Sequence, residues 1–172
     1  MAEAPPSLSP EFGVGPLTLD AFLAVNMFIV RHLVRLYAAF DGDLLEAVVL
    51  GEVAHHNLSG YLTQARAARQ ANAPARASVP KRSDYLPTNA FSIAQATGIP
   101  RQTVRRKVQA LVARGWLLQE RDGLIVSPQP FDHFREFNTA LAADAVSTLN
   151  TVLSLVHQPD PGRTIGSPRR RR

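Results

Sequence analysis

The chain has 172 residues, 45% of them apolar and none of them cysteine, with 19 Lys and Arg against 14 Asp and Glu. That length and composition fit one globular domain with appendages, exclude disulfides and thiolate metal sites, and make a cytoplasmic location the expectation. The net charge of +5 is unevenly laid out: residues 1–60 carry −5, 61–121 carry +9, 122–158 carry −3 and the tail from Pro159 carries +4, so the basic charge forms one block and one tail, as on a surface that binds a polyanion.

Residues 1–16 are rich in Pro, Gly and Ser and predict disorder. They carry Glu3 and Glu11 and no basic residue, unlike the start of a secretory signal. The most apolar run, 21–30, is interrupted by Asn26 and followed by Arg31 and Arg35. It falls short of the ~20 residues that span a bilayer, so a soluble protein is expected.

Thr18 is a candidate cap for a helix over 19–40, where Phe22, Val25, Ile29, Leu33, Leu36 and Phe40 recur by threes and fours. Leu23, Phe28 and Val30 fall outside that stripe. A helix apolar on more than one face packs on two sides, and residues 17–42 are expected to form a dimerisation helix with a second copy of the chain as partner. Asp41, Gly42 and Asp43 break it. Asp43 with Glu46 resembles a capping box for a second helix from Leu44 to about Asn57, with Leu45, Val48, Val49 and Val53 as candidate core. In the next stretch, 58–88, residues 61–72 can extend this helix. Pro74, Pro80 and Pro87 then predict an irregular basic insertion holding Arg66, Arg69, Arg76, Lys81 and Arg82.

The pattern sharpens after Phe91. Ser92 and Gln95 read as a capping box for a short helix that stops at Gly98, a residue suited to a turn of positive φ. Pro100 suits the first turn of a further helix, 101–114, because its missing N–H has no helical partner there anyway. On that helix Val104, Val108, Leu111 and Val112 share about 100° of arc. The opposite arc holds Gln102, Arg106, Gln109, Ala110 and Ala113, with Thr103 at its edge and Arg105 and Lys107 to either side. Gln102, Thr103 and Arg106 are the candidate base readers, since Arg pairs with guanine and Gln with adenine. Arg101, Arg105 and Lys107 are the candidate phosphate contacts. Gly115 allows a reversal into two strand-like runs, 116–120 and 124–126. Arg121, Asp122 and Gly123 mark a tight turn between them, and Arg121 near the tip joins the candidate phosphate contacts. Ser127 to Pro130 end the unit. A last helix is expected over 131–157, with Phe134, Phe137, Leu141, Ala145, Leu149, Val152 and Val156 as its stripe, and then a disordered basic tail, 159–172, ending in Arg169 to Arg172.

The run from Ser92 to Leu117 resembles the core of bacterial winged helix-turn-helix regulators of the IclR and MarR types. Ala94, Gly98 and Val104 stand at the small residue, turn glycine and buried aliphatic of that motif, and Arg114-Gly115-Trp116-Leu117 resembles its exit into the wing. With the hairpin that follows to Val126, the likeness covers about 36 residues. It departs at Pro100, where these families often carry Ser or Thr, and in a loop longer than usual by roughly 25 residues; an effector domain of IclR type is not expected in the residues after the unit. It implies a mainly α fold: a winged helix-turn-helix over 43–127 with a small β-hairpin wing, the insertion 58–88, and flanking helices at 17–42 and 128–158. The implied function is sequence-specific binding of double-stranded DNA as a transcriptional regulator, by a homodimer with helix 101–114 in the major groove. A sequence-tolerant architectural or replication-associated DNA binder, or a winged-helix protein-interaction module, stays open as an alternative. No effector ligand or cofactor is specified.

Other signals are weaker. His55 and His56 are adjacent on a helix and diverge by ~100°; His32, His133 and His157 have no ligand spacing, so no metal site is expected. No phosphate loop, metalloprotease motif or nucleophile motif occurs, and no enzymatic activity is expected. Phe131, Phe134 and Phe137 read as core.

Overall fold

The computed structural model describes residues 19–71 and 80–157. The expected N-terminal disorder, the cap at Thr18, Arg76 of the insertion and the basic tail lie outside the described residues. The protein is mainly helical, with one two-stranded antiparallel sheet. Its elements run α1 (Leu19–Ala39), α2 (Leu44–Gln70), α3 (Ala90–Thr97), α4 (Arg101–Ala113), β1 (Leu117–Glu120), β2 (Gly123–Val126), α5 (Gln129–His133) and α6 (Arg135–His157). The chain divides into two units: residues 33–138, and the residues up to His32 together with those from Thr139 onward.

In the central unit, Val49 and Val53 of α2, Ile93 of α3, Val104 and Leu111 of α4, and Leu117 and Leu124 of the hairpin are buried in one cluster. The α1–α2 corner is closed by Asp43, whose Oδ1 accepts the Glu46 N–H at 3.1 Å. Only this half of the expected capping box forms, because the Glu46 side chain is turned into the interior. The inner face of α2 runs through Glu46, Val49, Leu50, Val53 and Asn57. Leu45 and Val48, expected in the core, are instead exposed. An apolar stripe alone misplaces the face here, since two of its inner positions are the buried polar residues Glu46 and Asn57.

Asn57 is the more consequential of the two. It is fully buried, and its Nδ2 donates to the carbonyls of Leu86 at 2.7 Å and Leu124 at 3.1 Å. Its Oδ1 accepts the Val126 N–H at 2.7 Å. One side chain thereby joins α2 to strand β2 and to the segment before α3. The helix also continues well past it: residues 58–70 of the expected insertion are helical, and a single 3-10 turn follows at Arg82–Asp84.

The hairpin pairs Leu117 with Val126 and Glu120 with Gly123, leaving Arg121 and Asp122 as the turn. Thr88 bridges to Leu124 on the far edge of β2 through N–H to O contacts of 3.2 and 2.7 Å. Gly123 adopts φ +137°, and a Cβ there would stand 2.4 Å from the Thr88 carbonyl oxygen, so only glycine fits against this bridge.

α3 begins earlier than expected. Asn89 is its cap, its Oδ1 accepting the N–H groups of Phe91 and Ser92 at 3.0 Å each, so the Ser92 and Gln95 box does not form. The expected last helix is interrupted at Phe134, which separates α5 from α6. Its ring packs on Phe40 and Trp116, with centroids 5.1 and 5.2 Å away, the spacing of favourable aromatic pairs.

The long helices behave differently. Ala21 is the only buried residue of α1 before the α1–α2 corner, and no α6 residue between Arg135 and Val156 is buried. Both helices are long and apolar enough to cross a membrane, each with a mean hydropathy of 1.4 over its most apolar window. The expectation from residues 21–30 alone undercounted this length, because the helix continues to Ala39.

Candidate nucleic-acid interface

The direction of α4 is set by its entry. Gly98 takes φ +70°, ends α3 and donates its N–H to the Ala94 carbonyl at 3.0 Å. Two residues later Pro100 is the N-cap of α4, and its carbonyl accepts the N–H groups of Thr103 at 2.8 Å and Val104 at 3.1 Å. Val104, Val108 and Leu111 then face inward and are buried. Burial of those three side chains stabilises the packed orientation by several kcal/mol (roughly 1.5–3 each) and forces the remaining arc outward.

On that outer arc Gln102, Arg105, Arg106 and Gln109 are exposed and Thr103 is half-buried at the edge. These five side chains line an open groove of about 550 Å³. Gln109 was on the outer arc in the sequence but not among the candidate readers; the groove brings it in. Arg101 opens the helix, exposed, with its guanidinium 5.5 Å from the ring centroid of Phe91 on α3. That cation–π contact holds a long side chain near one geometry. Phe91 carried no functional signal in the sequence. Arg121 is exposed in the hairpin turn.

Lys107 is not where the helical wheel suggested. Its side chain is 13% exposed and forms an ion pair with Asp43, the cap of α2. Burial of Asp43 opposes its charge. The Lys107 hydrogen bond, the Glu46 N–H and the charges of Lys107 and Arg106 outweigh that and hold its carboxyl below the ordinary carboxylate value. Lys107 therefore leaves the set of phosphate contacts. It lies about 70° from the centre of the buried arc at 100° per residue, too close to the interior to face a solvent-side ligand.

Arg114, just past the end of α4, is drawn in the same direction. It lies 3.3 Å from Glu46 and 3.5 Å from Asp41, with its guanidinium 5.3 Å from the Trp116 ring centroid. The Glu46 Oε1 lies within ion-pair distance of Arg114 but out of hydrogen-bond line. Arg82, from the basic insertion, pairs with Glu120 on the hairpin, which raises its pKa above the usual guanidinium value. The acidic α1–α2 corner and Glu120 thus neutralise cations that face the protein. Arg101, Arg105 and Arg106 remain on a helix with no acidic residue.

Among the described residues no group of three or more His, Asp or Glu is placed to hold a metal ion. No protein-family model, no curated protein and no solved structure matches this chain.

Proposed function

We propose that the protein binds double-stranded DNA sequence-specifically and acts as a transcriptional regulator in the cytoplasm, as a binding protein and not an enzyme. In this reading α3 and α4 are a helix-turn-helix, the β1–β2 hairpin is its wing, and α4 enters the major groove, which is wide enough to admit a helix. Gln102, Thr103 and Arg106 read base edges; Arg101, Arg105 and Arg121 contact phosphates. Two copies of the chain, each presenting one α4, read the two halves of a palindromic site, and occupancy of that site represses or activates.

The observation that carries the reading is the division of α4 into two faces. Its aliphatic face is buried, and its amides and guanidinium groups stand together along an open groove. Amides and guanidinium groups are the side chains that pair in two-pronged fashion with adenine and guanine. A hydrophobic protein contact needs the opposite composition.

Selection of bound duplexes from a random pool, followed by gel retardation across a salt series, tests it. A recurring motif is expected, with affinity falling steeply as salt rises because phosphate contacts release counterions. Arg106→Ala should reduce discrimination between selected and scrambled sites by about 1–3 kcal/mol. Retardation with no enriched motif would replace this reading with a sequence-tolerant binder. No retardation even at low salt would end it.

A further inference from the structure

Helix α1 carries nine exposed large apolar side chains, from Leu19 to Tyr37. Five of them and Asn26, in the order Leu19, Leu23, Asn26, Val30, Leu33 and Tyr37, follow one another at steps of four, three, four, three and four. That is the spacing by which one helix seats its side chains between those of another. The charged residues of the helix, Asp20, Arg31 and Arg35, all lie about 120° or more from Asn26 around the axis. Asn26 is thus a single amide near the middle of a wide apolar arc.

We propose that this arc is the interface between two copies of the chain, and that Asn26 meets the partner's Asn26 across the two-fold axis and fixes the register of the pairing. The inference deepens the dimeric reading given above by naming the surface and the residue that specifies it. Three physical points favour a second copy over a lipid surface. An amide in hydrocarbon lacks hydrogen-bond partners and costs several kcal/mol, whereas a symmetric pairing gives each amide an identical group that both donates and accepts. Nine side chains, each about half exposed, present on the order of 800 Å², which is what one partner contributes to a standard stable interface. Finally, α6 has Glu136 and Asp144 and no Lys or Arg beyond its first residue, so the other long apolar helix offers little attraction to anionic lipid.

Sedimentation of the full chain tests the proposal, with the single tryptophan, buried Trp116, as a fluorescence reporter that the central core is intact. The wild type should sediment as a dimer. Val30→Asp, and independently Leu23→Asp, should weaken association by at least about tenfold with unchanged tryptophan emission. Asn26→Leu should still associate but as a mixture of dimers and larger species, because the register is no longer specified. A monomeric wild type, or a dimer untouched by both aspartates, overturns the interface. A single dimer of wild-type affinity in Asn26→Leu overturns the role of that residue. Flotation of the wild type, but not of Val30→Asp, with vesicles of phosphatidylcholine and phosphatidylglycerol overturns it in favour of a membrane. A wild type that dimerises through this arc yet ignores DNA sinks the DNA reading and leaves the interface standing.

Discussion

The residues between Leu33 and Asn138 enclose what they turn inward, whereas the long helices α1 and α6 leave their apolar side chains largely uncovered. α4 presents a stripe of apolar side chains with spacings of three and four, α2 an inner face of Val49, Leu50 and Val53 between Glu46 and Asn57, and both are buried. α1 and α6 carry stripes of the same kind, yet Phe22, Ile29, Val146 and Leu149 are all more than 45% exposed. The difference teaches that periodicity identifies a face and is silent about what covers it. The central unit closes on itself because polar pins supplement its apolar contacts, above all Asn57 and the ion pairs of the α1–α2 corner.

The sharpest way to break this contrast is Asn57→Leu. It leaves the Leu86 carbonyl and the buried Val126 N–H without their Asn57 partner and takes one of two donors from the Leu124 carbonyl, and should destabilise the central unit by about 3–5 kcal/mol. The urea midpoint followed by Trp116 emission measures it; an unshifted midpoint would show that the pin is dispensable. Next in size, Leu111→Ala should cost about 2–5 kcal/mol as a core truncation. Val146→Ala on α6 should cost less than about 0.5 kcal/mol in dilute monomeric protein. Equal costs would erase the distinction between the two regions. Gly98→Ala isolates backbone strain, because a Cβ there meets nothing within 4 Å. The left-handed conformation alone should then cost about 1–2 kcal/mol, read from the same denaturation curves.

A further small effect is electrostatic. Asp43 has its folded-state pKa lowered, so its stabilising contribution is complete above the ordinary carboxylate value of about 4 and is lost as pH falls through the folded value. Asp43→Asn keeps a side-chain acceptor for the cap and loses the Lys107 pair. It should cost less than about 1 kcal/mol at pH 7 and flatten the acid limb of the stability profile. An unchanged acid limb would remove Asp43 from any account of acid sensitivity.

Much of the central unit was legible in the sequence. Gly98 and Pro100 announced the turn between α3 and α4, Val104, Val108 and Leu111 announced the buried face of α4, and Arg121 and Asp122 sit in the hairpin turn as expected. The groove brings together Gln102, Thr103, Arg105 and Arg106, all four taken from the sequence as candidates. What escaped depends on distant partners. Lys107 faces a carboxylate 64 residues earlier, and Asn57 faces backbone groups 29 to 69 residues later. No local pattern encodes either. Thr88 escaped because one bridging residue is too short to register as a strand. Leu45 and Val48 were placed inside because apolar positions were counted and the polar inward residues, Glu46 and Asn57, were not.

The ion pairs at Lys107 and Arg114 have a mechanical consequence. They rivet α4 at two points seven residues apart to the corner where α1 hands over to α2. A rod fastened twice along one edge cannot roll about its long axis while the fastenings hold. The aim of Gln102 and Arg106, set by the buried face of α4, is therefore also tied to that corner.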